Sequence, residues 1–317
     1  MLKKILYRKV AVATSLMLII LMLYFIPESK EENIVPSKLE YVSLANNREV
    51  YLLDKYDYLA RVMLPSSYNN TLSLASDLID KITIRGSKED IIPNNFKSIL
   101  PKNTKILNLE LNNKILKINF SKEFNNLPSE YEEKAIESLI YTLTNIDDID
   151  KLDIYVEDKK LEYLPNSKKK LPNYLDKNYG INKKYEMTSL SDISSYTIYY
   201  ASNNNTDSYY IPVTKYVNNT NQDKVKVIID ELATSIIHET NLSSYLDTNA
   251  KLLDYEIADK EIKLNFNDKI LSNITDNVIL EEVMYTIFLS LRDEYDLEKV
   301  IFNVNNQEKA TFSLENK

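Results

Sequence analysis

The chain has 317 residues and a formal net charge of -8 at pH 7, with no Cys, one His and only two Gly. The negative charge argues against a nucleic-acid-binding protein, and the absence of Cys excludes disulfides, thiolate zinc sites and a Cys nucleophile. Two glycines are too few for a phosphate-binding loop or a dinucleotide fingerprint, and the length suggests about two domains.

The N-terminal segment predicts attachment to a membrane. Residues 1–9 form a basic cytoplasmic segment, residues 10–26 are an apolar run just long enough to span a bilayer, and acidic residues follow. This charge asymmetry predicts a transmembrane anchor with the N-terminus in the cytoplasm and the domains outside. A cleaved signal peptide is the alternative, although the small residues of a cleavage site are missing. Residues 27–46 are polar and predict a tether.

One sixteen-residue segment occurs twice in related form. It reads KILNLELNNKILKINF at 105–120 and KLLDYEIADKEIKLNF at 251–266, with seven identities. Apolar residues alternate with polar ones in both halves of each copy, which predicts a β-hairpin with one apolar face. The apolar sets are Leu107, Leu109, Leu111, Leu116, Ile118 and Phe120, then Leu253, Tyr255, Ile257, Ile262, Leu264 and Phe266.

The residues between the apolar runs predict where each hairpin turns. Asn112-Asn113 is expected to form the first turn and Ala258-Asp259 the second, because Asn and Asp tolerate the left-handed backbone that a tight turn needs. These turns would place Leu109 opposite Leu116 and Tyr255 opposite Ile262. A hairpin with one apolar face also requires helices to cover that face.

The segments around the first hairpin predict strands, helix, hairpin, helix and strand. Short strands are expected at 50–53 and 58–64, and a helix at 72–82 with Asn70 or Thr71 as its N-cap and Gly86 at its C′ position. Ser129 and Glu132 form a capping-box pattern that predicts the start of the second helix, and residues 151–156 predict a closing strand. The expected domain covers residues 47–165.

Periodicity is lost over residues 166–194, which predicts a linker. A solvated connector is the favoured interpretation, and a basic docking site around residues 168–170 is the alternative. The same order of elements then recurs, with strands at 197–200 and 209–213, helices at 225–236 and 279–291, and a strand at 299–304. The second domain is therefore expected to span 195–317, and the chain to be a duplication.

Two features are candidate catalytic or metal sites. His238 is the only imidazole, and it is expected to be a surface or cap residue because the chain offers it no second His or Cys. Four acids cluster near the end of a predicted helix, but they lack the alternation and the Gly of a calcium loop and predict a solvated turn. These acids are Asp147, Asp148, Asp150 and Asp153.

Charged residues also line the two hairpins. Asp254 is expected to face Lys263, with Glu256 diagonal to it, and Glu110 and Lys117 repeat the diagonal. Cross-strand ion pairs explain this pattern, although catalysis by paired carboxylates stays open.

Tyrosines are abundant, and the densest group is a candidate binding surface. Use in the core and the sheets is favoured for them, with a sugar-stacking or partner platform as the alternative. The group consists of Tyr196, Tyr199, Tyr200, Tyr209 and Tyr210.

The order of motifs resembles the GerM domain. A Leu-Pro pair at 100–101 and Thr104 precede the hairpin, which leaves through Asn-Phe-Ser-Lys-Glu-Phe at 119–124 before a helix and a strand punctuated by acids. The resemblance implies an α+β fold of two tandem sheet-plus-helices modules, similar to ring-building motifs, behind one N-terminal transmembrane helix. The family is associated with the channel complex that joins mother cell and forespore in spore-forming Firmicutes.

These observations favour a membrane-anchored envelope scaffold without enzymatic activity. The resemblance implies other envelope and sporulation-channel proteins as partners, with oligomerisation open, and the sequence predicts no nucleic acid partner, cofactor, metal or catalytic residue. An extracytoplasmic module that binds peptidoglycan or another glycan is the alternative. A hydrolase that uses paired carboxylates is the least favoured hypothesis.

Overall fold

The computed structural model describes residues 47–86, 89–204, 207–218, 222–234, 242–272 and 277–313. The predicted anchor at 10–26, the tether at 27–46 and His238 lie outside these ranges. Among the described residues, no helix combines the length and the apolar character that crossing a membrane requires.

Four helices and thirteen strands make up the described part of the chain. The helices are α1 (Thr71–Lys81), α2 (Glu132–Leu143), α3 (Lys224–Thr234) and α4 (Glu281–Tyr295). The strands are β1 (Asn47–Leu53), β2 (Leu59–Pro65), β3 (Ile106–Asn112), β4 (Ile115–Phe120), β5 (Lys151–Val156), β6 (Lys159–Lys160), β7 (Lys184–Tyr185), β8 (Ile193–Asn204), β9 (Asp207–Asn218), β10 (Leu252–Ala258), β11 (Glu261–Phe266), β12 (Lys299–Val304) and β13 (Gln307–Ser313).

The two hairpins build sheets of the same topology, and the predicted duplication is thereby confirmed. The first sheet has the order β3-β4-β5-β6 and the second has the order β10-β11-β12-β13. In each sheet the hairpin is antiparallel, the closing strand runs parallel to the inner hairpin strand, and a further antiparallel strand follows. The helix between hairpin and closing strand supplies the crossover that a parallel pair needs.

The predicted hairpin register is wrong by two residues. The first turn is Asn113-Lys114, where both residues have positive φ, and Leu109 pairs with Ile118. The second turn is Asp259-Lys260, and Tyr255 pairs with Leu264. A shift of two residues leaves every side chain on its face, so the predicted apolar faces survive the error.

Each outer hairpin strand also contains a bulge that the alternation did not reveal. The register shifts between Ile106 and Asn108 in β3 and between Leu252 and Asp254 in β10. Leu107 and Leu253, predicted on the apolar face, are 49% and 50% exposed, while Ile106 and Leu252 pack against the cores instead. An extra residue in one strand displaces the side chains that follow.

The opening strands do not join the hairpin sheets, which corrects the expectation of one sheet per domain. Strands β1 and β2 of the first repeat and β8 and β9 of the second form a single five-stranded sheet together with β7. Strand β9 pairs along its whole length with β8, and on its other side it meets β2 at Tyr210 and β7 at residues 215–216. The two repeats therefore share one sheet.

The helices cover the apolar faces, as the sequence predicts. Asn70 caps α1 by accepting hydrogen bonds from the amides of Leu72 and Ser73, but the helix ends at Lys81 and Gly86 is not its C′ residue. The predicted capping box is wrong because Tyr131 precedes α2 without a side-chain cap. Both Phe120 and Phe266 are fully buried in the two cores, which confirms the predicted core position of each hairpin exit.

The segment at 166–194 is not a solvated connector. Its residues Leu171, Leu175 and Ile181 are buried in the first core, and Leu175 pairs with Leu152 at the edge of β5. Gly180 adopts a φ of 79°, and a Cβ there would lie 2.7 Å from the hydroxyl oxygen of Tyr216. The segment is thus packed against both repeats, and the docking alternative around residues 168–170 stays a prediction.

Candidate functional site at the junction of the repeats

Equivalent tyrosines of the two repeats meet at the centre of the junction. Tyr51 and Tyr199 are 148 positions apart, the spacing that also separates the closing strands β5 and β12. Their hydroxyl oxygens lie 2.9 Å apart, and both side chains are fully buried. Contact between equivalent residues, together with the antiparallel pairing of β2 with β9, is the arrangement expected of a pseudo-two-fold relation between the repeats.

In both repeats, the strand that carries the tyrosine is hydrogen-bonded to a side-chain hydroxyl of the second helix. The amide of Tyr51 donates to Thr142 Oγ1 in α2 at 3.1 Å, and the amide of Tyr199 donates to Ser290 Oγ in α4 at 2.9 Å. Thr142 and Ser290 are also 148 positions apart. Each repeat therefore satisfies a buried amide of its strand with a hydroxyl of its own second helix, without a contribution from the other repeat.

A buried carboxylate next to this tyrosine contact binds two arginines, one from each repeat. Glu49 Oε1 lies 2.8 Å from Arg61 Nη2, while Arg292 Nη1 and Nη2 reach its two oxygens at 2.7 and 3.2 Å. Asn145 donates a further hydrogen bond at 2.9 Å. Because the bidentate pair joins β1 to α4 across the junction, it fixes both distance and orientation.

A second carboxylate completes the charge cluster. Asp293 accepts hydrogen bonds from Tyr199 at 2.8 Å and from Lys177 Nζ at 2.9 Å, and lies 3.3 Å from Arg292 Nη2. Since Tyr199 donates to Asp293, the hydrogen bond between the two tyrosine hydroxyls must be donated by Tyr51. Lys177 belongs to the connecting segment, so the cluster draws on both repeats and on the chain between them. The junction cluster is Glu49, Tyr51, Arg61, Lys177, Tyr199, Arg292 and Asp293.

The environment keeps both acids of the junction cluster ionised. Burial alone would raise the pKa of Glu49, but the charges of Arg292 and Arg61 outweigh it and hold that pKa well below its ordinary value. Burial likewise opposes ionisation of Asp293, and Lys177 and Arg292 nevertheless lower its pKa. Burial also raises the pKa of Tyr51, with a further rise from the charge of Glu49.

Asn182, in the connecting segment, clamps the shared sheet where β2 and β9 diverge. Its Oδ1 accepts from the Leu59 amide at 3.0 Å, and its Nδ2 donates to the carbonyls of Leu59 and Pro212, both at 2.8 Å. Its own amide donates to Glu137 Oε2 at 2.9 Å. One side chain thus replaces the strand-to-strand hydrogen bonds that are missing beside Pro212, which has no N–H of its own.

The junction fits a structural role better than catalysis. A general acid or base needs a pKa near the working pH and access to substrate, whereas these carboxylates are ionised and their side chains are 11% and 9% exposed. Every charge in the junction cluster faces an opposite charge. The arrangement holds the two modules at one distance and orientation.

The other acidic candidates each contact a different partner and do not form a cluster. Asp148 accepts from the Thr71 hydroxyl, Asp150 lies 3.4 Å from Lys114, and Asp153 lies 2.9 Å from Lys160. Within the described ranges, no three metal-type side chains come together. The solvated-turn interpretation fits Asp147, Asp148 and Asp150, which are exposed, and is wrong for Asp153, which lies in β5 with its side chain 13% exposed.

The charged residues of the hairpins form cross-strand ion pairs, but their positions differ from the predicted ones. Glu110 sits directly opposite Lys117 and Glu256 directly opposite Lys263, rather than diagonally, with closest contacts of 3.8 and 4.0 Å. Asp254 faces Asn265 instead of Lys263. These pairs are exposed, and such pairs contribute only about 0–1 kcal/mol each.

The candidate tyrosine platform is buried, as the favoured interpretation expects. None of its five members is more than 8% exposed, and one of them, Tyr199, belongs to the junction cluster. Another, Tyr209, donates to Asp54 at 2.9 Å, and burial raises the pKa of Tyr209 to about 12. These rings are therefore not accessible for stacking on a sugar.

Most of the junction residues were not found from the sequence. Arg is scarce in a chain rich in Lys, and three of the four arginines after residue 46 follow apolar residues directly, namely Arg61, Arg85 and Arg292. Since a buried ion pair uses Arg more readily than Lys, an Arg that follows an apolar residue was the signal available in the sequence. No comparable signal marked Glu49 or Asn182.

Comparisons with known proteins extend over both repeats. The family model described as Germane, for sporulation and spore germination, matches residues 23–162 and 197–310. The spore germination protein GerM of Bacillus subtilis (strain 168) is 29% identical over 287 residues, which are 88% of this chain and 77% of that protein. The solved tandem GerMN domains of Bacillus subtilis GerM superpose with a TM-score of 0.76 at 28% identity, over 84% of this chain and 96% of theirs.

Replacing Glu49 by Gln tests the central ion pair. The change removes the carboxylate that pairs with Arg61 and leaves Arg292 with Asp293 alone, and breaking a buried pair costs about 3–5 kcal/mol. The free energy of unfolding of residues 43–317, which form one compact unit, is measured by urea denaturation. The control is Glu110→Gln in an exposed cross-strand pair, with an expected loss under about 1 kcal/mol. Equal losses in the two variants would contradict the assignment.

Acid should weaken the junction in a defined direction. The folded-state pKa values of Glu49 and Asp293 are lowered, so the unfolded chain binds protons more tightly. Their contribution to stability is full above the ordinary carboxyl pKa of about 4 and is lost as pH falls through the lowered values. The melting temperature should therefore drop more steeply between about pH 5 and pH 3 in the native chain than in Glu49→Gln. Parallel pH profiles would show that Glu49 does not carry this dependence.

Proposed function

The chain belongs to the Germane family of sporulation and spore germination proteins, and we propose that it is a non-enzymatic scaffold anchored in the membrane of a sporulating cell. In this proposal the two modules lie outside the cytoplasm and hold other envelope proteins together. The anchor is the apolar run at residues 10–26, oriented by the basic residues before it.

The joining of two equivalent modules through one sheet and buried contacts is the observation that carries the proposal. A shared sheet, the junction cluster and the Asn182 clamp join the repeats in a pseudo-two-fold relation. A fixed pair of similar surfaces suits divalent contact, because binding at one surface raises the effective concentration of a linked partner at the other. Catalysis gains nothing comparable from duplication.

The chemistry of the described residues supports a role without catalysis. Those ranges hold no group of metal-type side chains, and the buried carboxylates of the junction are neutralised by cations. Glu132 likewise accepts hydrogen bonds from the amides of Asn166 and Ser167, which outweigh the effect of burial and lower its pKa. These acids serve to hold loops and domains in place.

The proposed partners are components of the channel complex between mother cell and forespore. Similarity to GerM, named as a spore germination protein, supports a role at this stage of the life cycle. Assembly of several copies in the manner of ring-building motifs is part of the proposal.

The outer hairpin strands offer equivalent contact points for such partners. Leu107 and Leu253 lie at matching bulges, each about half exposed, at the free edges of the two hairpin sheets. An exposed Leu repeated at the same place in both modules is a fitting anchor for a divalent contact, since desolvated apolar anchors contribute most to binding.

Complementation of a deletion strain tests the proposal. Leu107→Asp combined with Leu253→Asp should reduce the count of heat-resistant spores to the level of the deletion, while the purified protein keeps its unfolding midpoint. The matched control is Val278→Asp, which alters a side chain of similar exposure (53%) away from both bulges. Glu110→Gln and Glu256→Gln should leave the spore count unchanged, because the proposal assigns no chemistry to these acids.

Three results would count against the proposal. Normal sporulation of the deletion strain would reject the channel role. A full spore count with the double Leu variant would show that the hairpin edges are not the contact points. Loss of function from a carboxylate-to-amide change that preserves folding would favour an enzyme instead.

A further inference from the structure

A groove in the first repeat has no role in the junction. It lies between α1 and the start of β3, with a volume of about 850 Å³, inside the usual range for ligand pockets of about 300–1,000 Å³. Its walls include Tyr68, Ser73, Ser76, Asp80, Lys105 and Leu109. The groove is open along one side, so it can admit a ligand that is longer than the site.

The positive and negative residues of the groove walls balance each other, and this limits the chemical class of ligand that the groove can bind. Asp77 is buried against Lys81, and the other two charged residues of the wall, Asp80 and Lys105, have opposite signs. A phosphate or nucleotide would want a positive site, and a divalent cation would want several carboxylates. The groove therefore suits an uncharged ligand.

The lining pairs polar groups with apolar ones in a manner that fits a sugar. Hydroxyl-bearing Ser73, Ser76, Thr83 and Thr104 share the walls with the apolar side chains of Leu72, Ile79, Ile106 and Leu109. Tyr68 stands at the site with its ring 46% exposed. An exposed tyrosine ring offers an apolar face with a polar tip, which matches the apolar face and hydroxyl rim of a pyranose.

The second repeat carries different residues at the corresponding positions. The ungapped hairpin alignment makes Tyr255 equivalent to Leu109, and the alignment of residues 78–80 with 228–230 makes Asp223 equivalent to Ser73. The Tyr255 hydroxyl donates to Asp223 Oδ2 at 2.9 Å and so bridges β10 to the start of α3. The side chain of Leu109 cannot form such a hydrogen bond, so the first repeat has no equivalent bridge between β3 and α1 at these two positions.

A buried polar cluster lies beneath the groove. Asp77 accepts from the Ser66 hydroxyl at 2.7 Å and pairs with Lys81, whose side chain is 1% exposed. In the second repeat, the residue equivalent to Asp77 is Val227, and the residue equivalent to Lys81 is Glu231, which pairs with Lys215 instead. The polar groups beneath this face of the helix are therefore arranged differently in the two repeats.

We propose that this groove binds an uncharged glycan strand, with Tyr68 stacked on a sugar ring and the serines and acids of α1 bonded to its hydroxyls. A peptide added as a strand to β3 is the competing ligand. The bulge at Leu107 interrupts the edge of β3 beside the groove, and bulges disrupt the regular row of backbone groups that such addition needs. The sugar is therefore the ligand that this geometry favours.

The test uses the purified full chain in detergent and a tetramer of β-1,4-linked N-acetylglucosamine as the probe. Binding is measured by isothermal titration calorimetry at millimolar sugar. Tyr68→Ala should weaken binding by about tenfold or more. Ser73→Asp combined with Leu109→Tyr should abolish it, because the pair introduces across the groove the tyrosine–aspartate bridge that the second repeat has at these positions.

Controls separate loss of the site from loss of the fold. Tyr163→Ala removes a ring of matching exposure (48%) elsewhere in the first repeat and should leave the affinity unchanged. All variants should keep the native melting temperature within a few degrees; if the bridging pair does not, Tyr68→Ala alone decides.

The proposal is overturned by any of three results. The native chain fails to bind the tetramer, the tetramer binds equally to native and Tyr68→Ala chains, or the stem peptide of peptidoglycan binds the groove while the tetramer does not. None of these outcomes depends on sporulation counts, so the proposal stands or falls separately from the scaffold role.

Discussion

The carboxylate of Glu49 is the contact on which the arrangement of the two repeats depends. It sits in the first strand of the first repeat, and its bidentate partner Arg292 sits at the end of the last helix of the second. An ionised acid in a site this dry is tolerated only while its partners stay in place. The pair therefore fixes the distance and the orientation between the two repeats. The shared sheet, the contact between Tyr51 and Tyr199 and the hydrogen bonds of Asn182 all depend on that arrangement.

Duplication explains both the symmetry of the molecule and the limits of that symmetry. The hairpin sheets, their bulges and the helix hydroxyls that hold the opening strands recur at matching positions. The surfaces beside the hairpins differ between the repeats. Leu109 aligns with Tyr255 and Ser73 aligns with Asp223, and only the second of these pairs of positions is joined by a tyrosine–aspartate hydrogen bond. A scaffold with two similar modules can thus carry two unlike surfaces.

The sequence predicted the repeated elements well because their signals are local. Alternation in the hairpins and the 3.6-residue period of the helices depend on neighbours along the chain, and the burial of Phe120 and Phe266 follows from them. The bulges at Leu107 and Leu253 were missed because two apolar residues stand in succession there, Ile106-Leu107 and Leu252-Leu253, and only the pairing shows which of the two faces the core. The shared sheet was missed because pairing of Arg61 with Tyr210 is set by contacts distant in sequence. The connecting segment was misjudged for the same reason, since its apolar residues have no period of their own.

The distance between the two modules gives the most direct test of the account, and the absence of Cys makes the measurement clean. Spin labels on Leu107→Cys and Leu253→Cys would mark the exposed bulge of each hairpin sheet, and pulsed electron resonance would report the distribution of distances between them. If the junction makes one rigid body of the two repeats, the distribution has a single narrow peak that broadens when Glu49→Gln is added. A broad or double-peaked distribution in the otherwise native chain would show that the repeats move independently, and it would contradict the account.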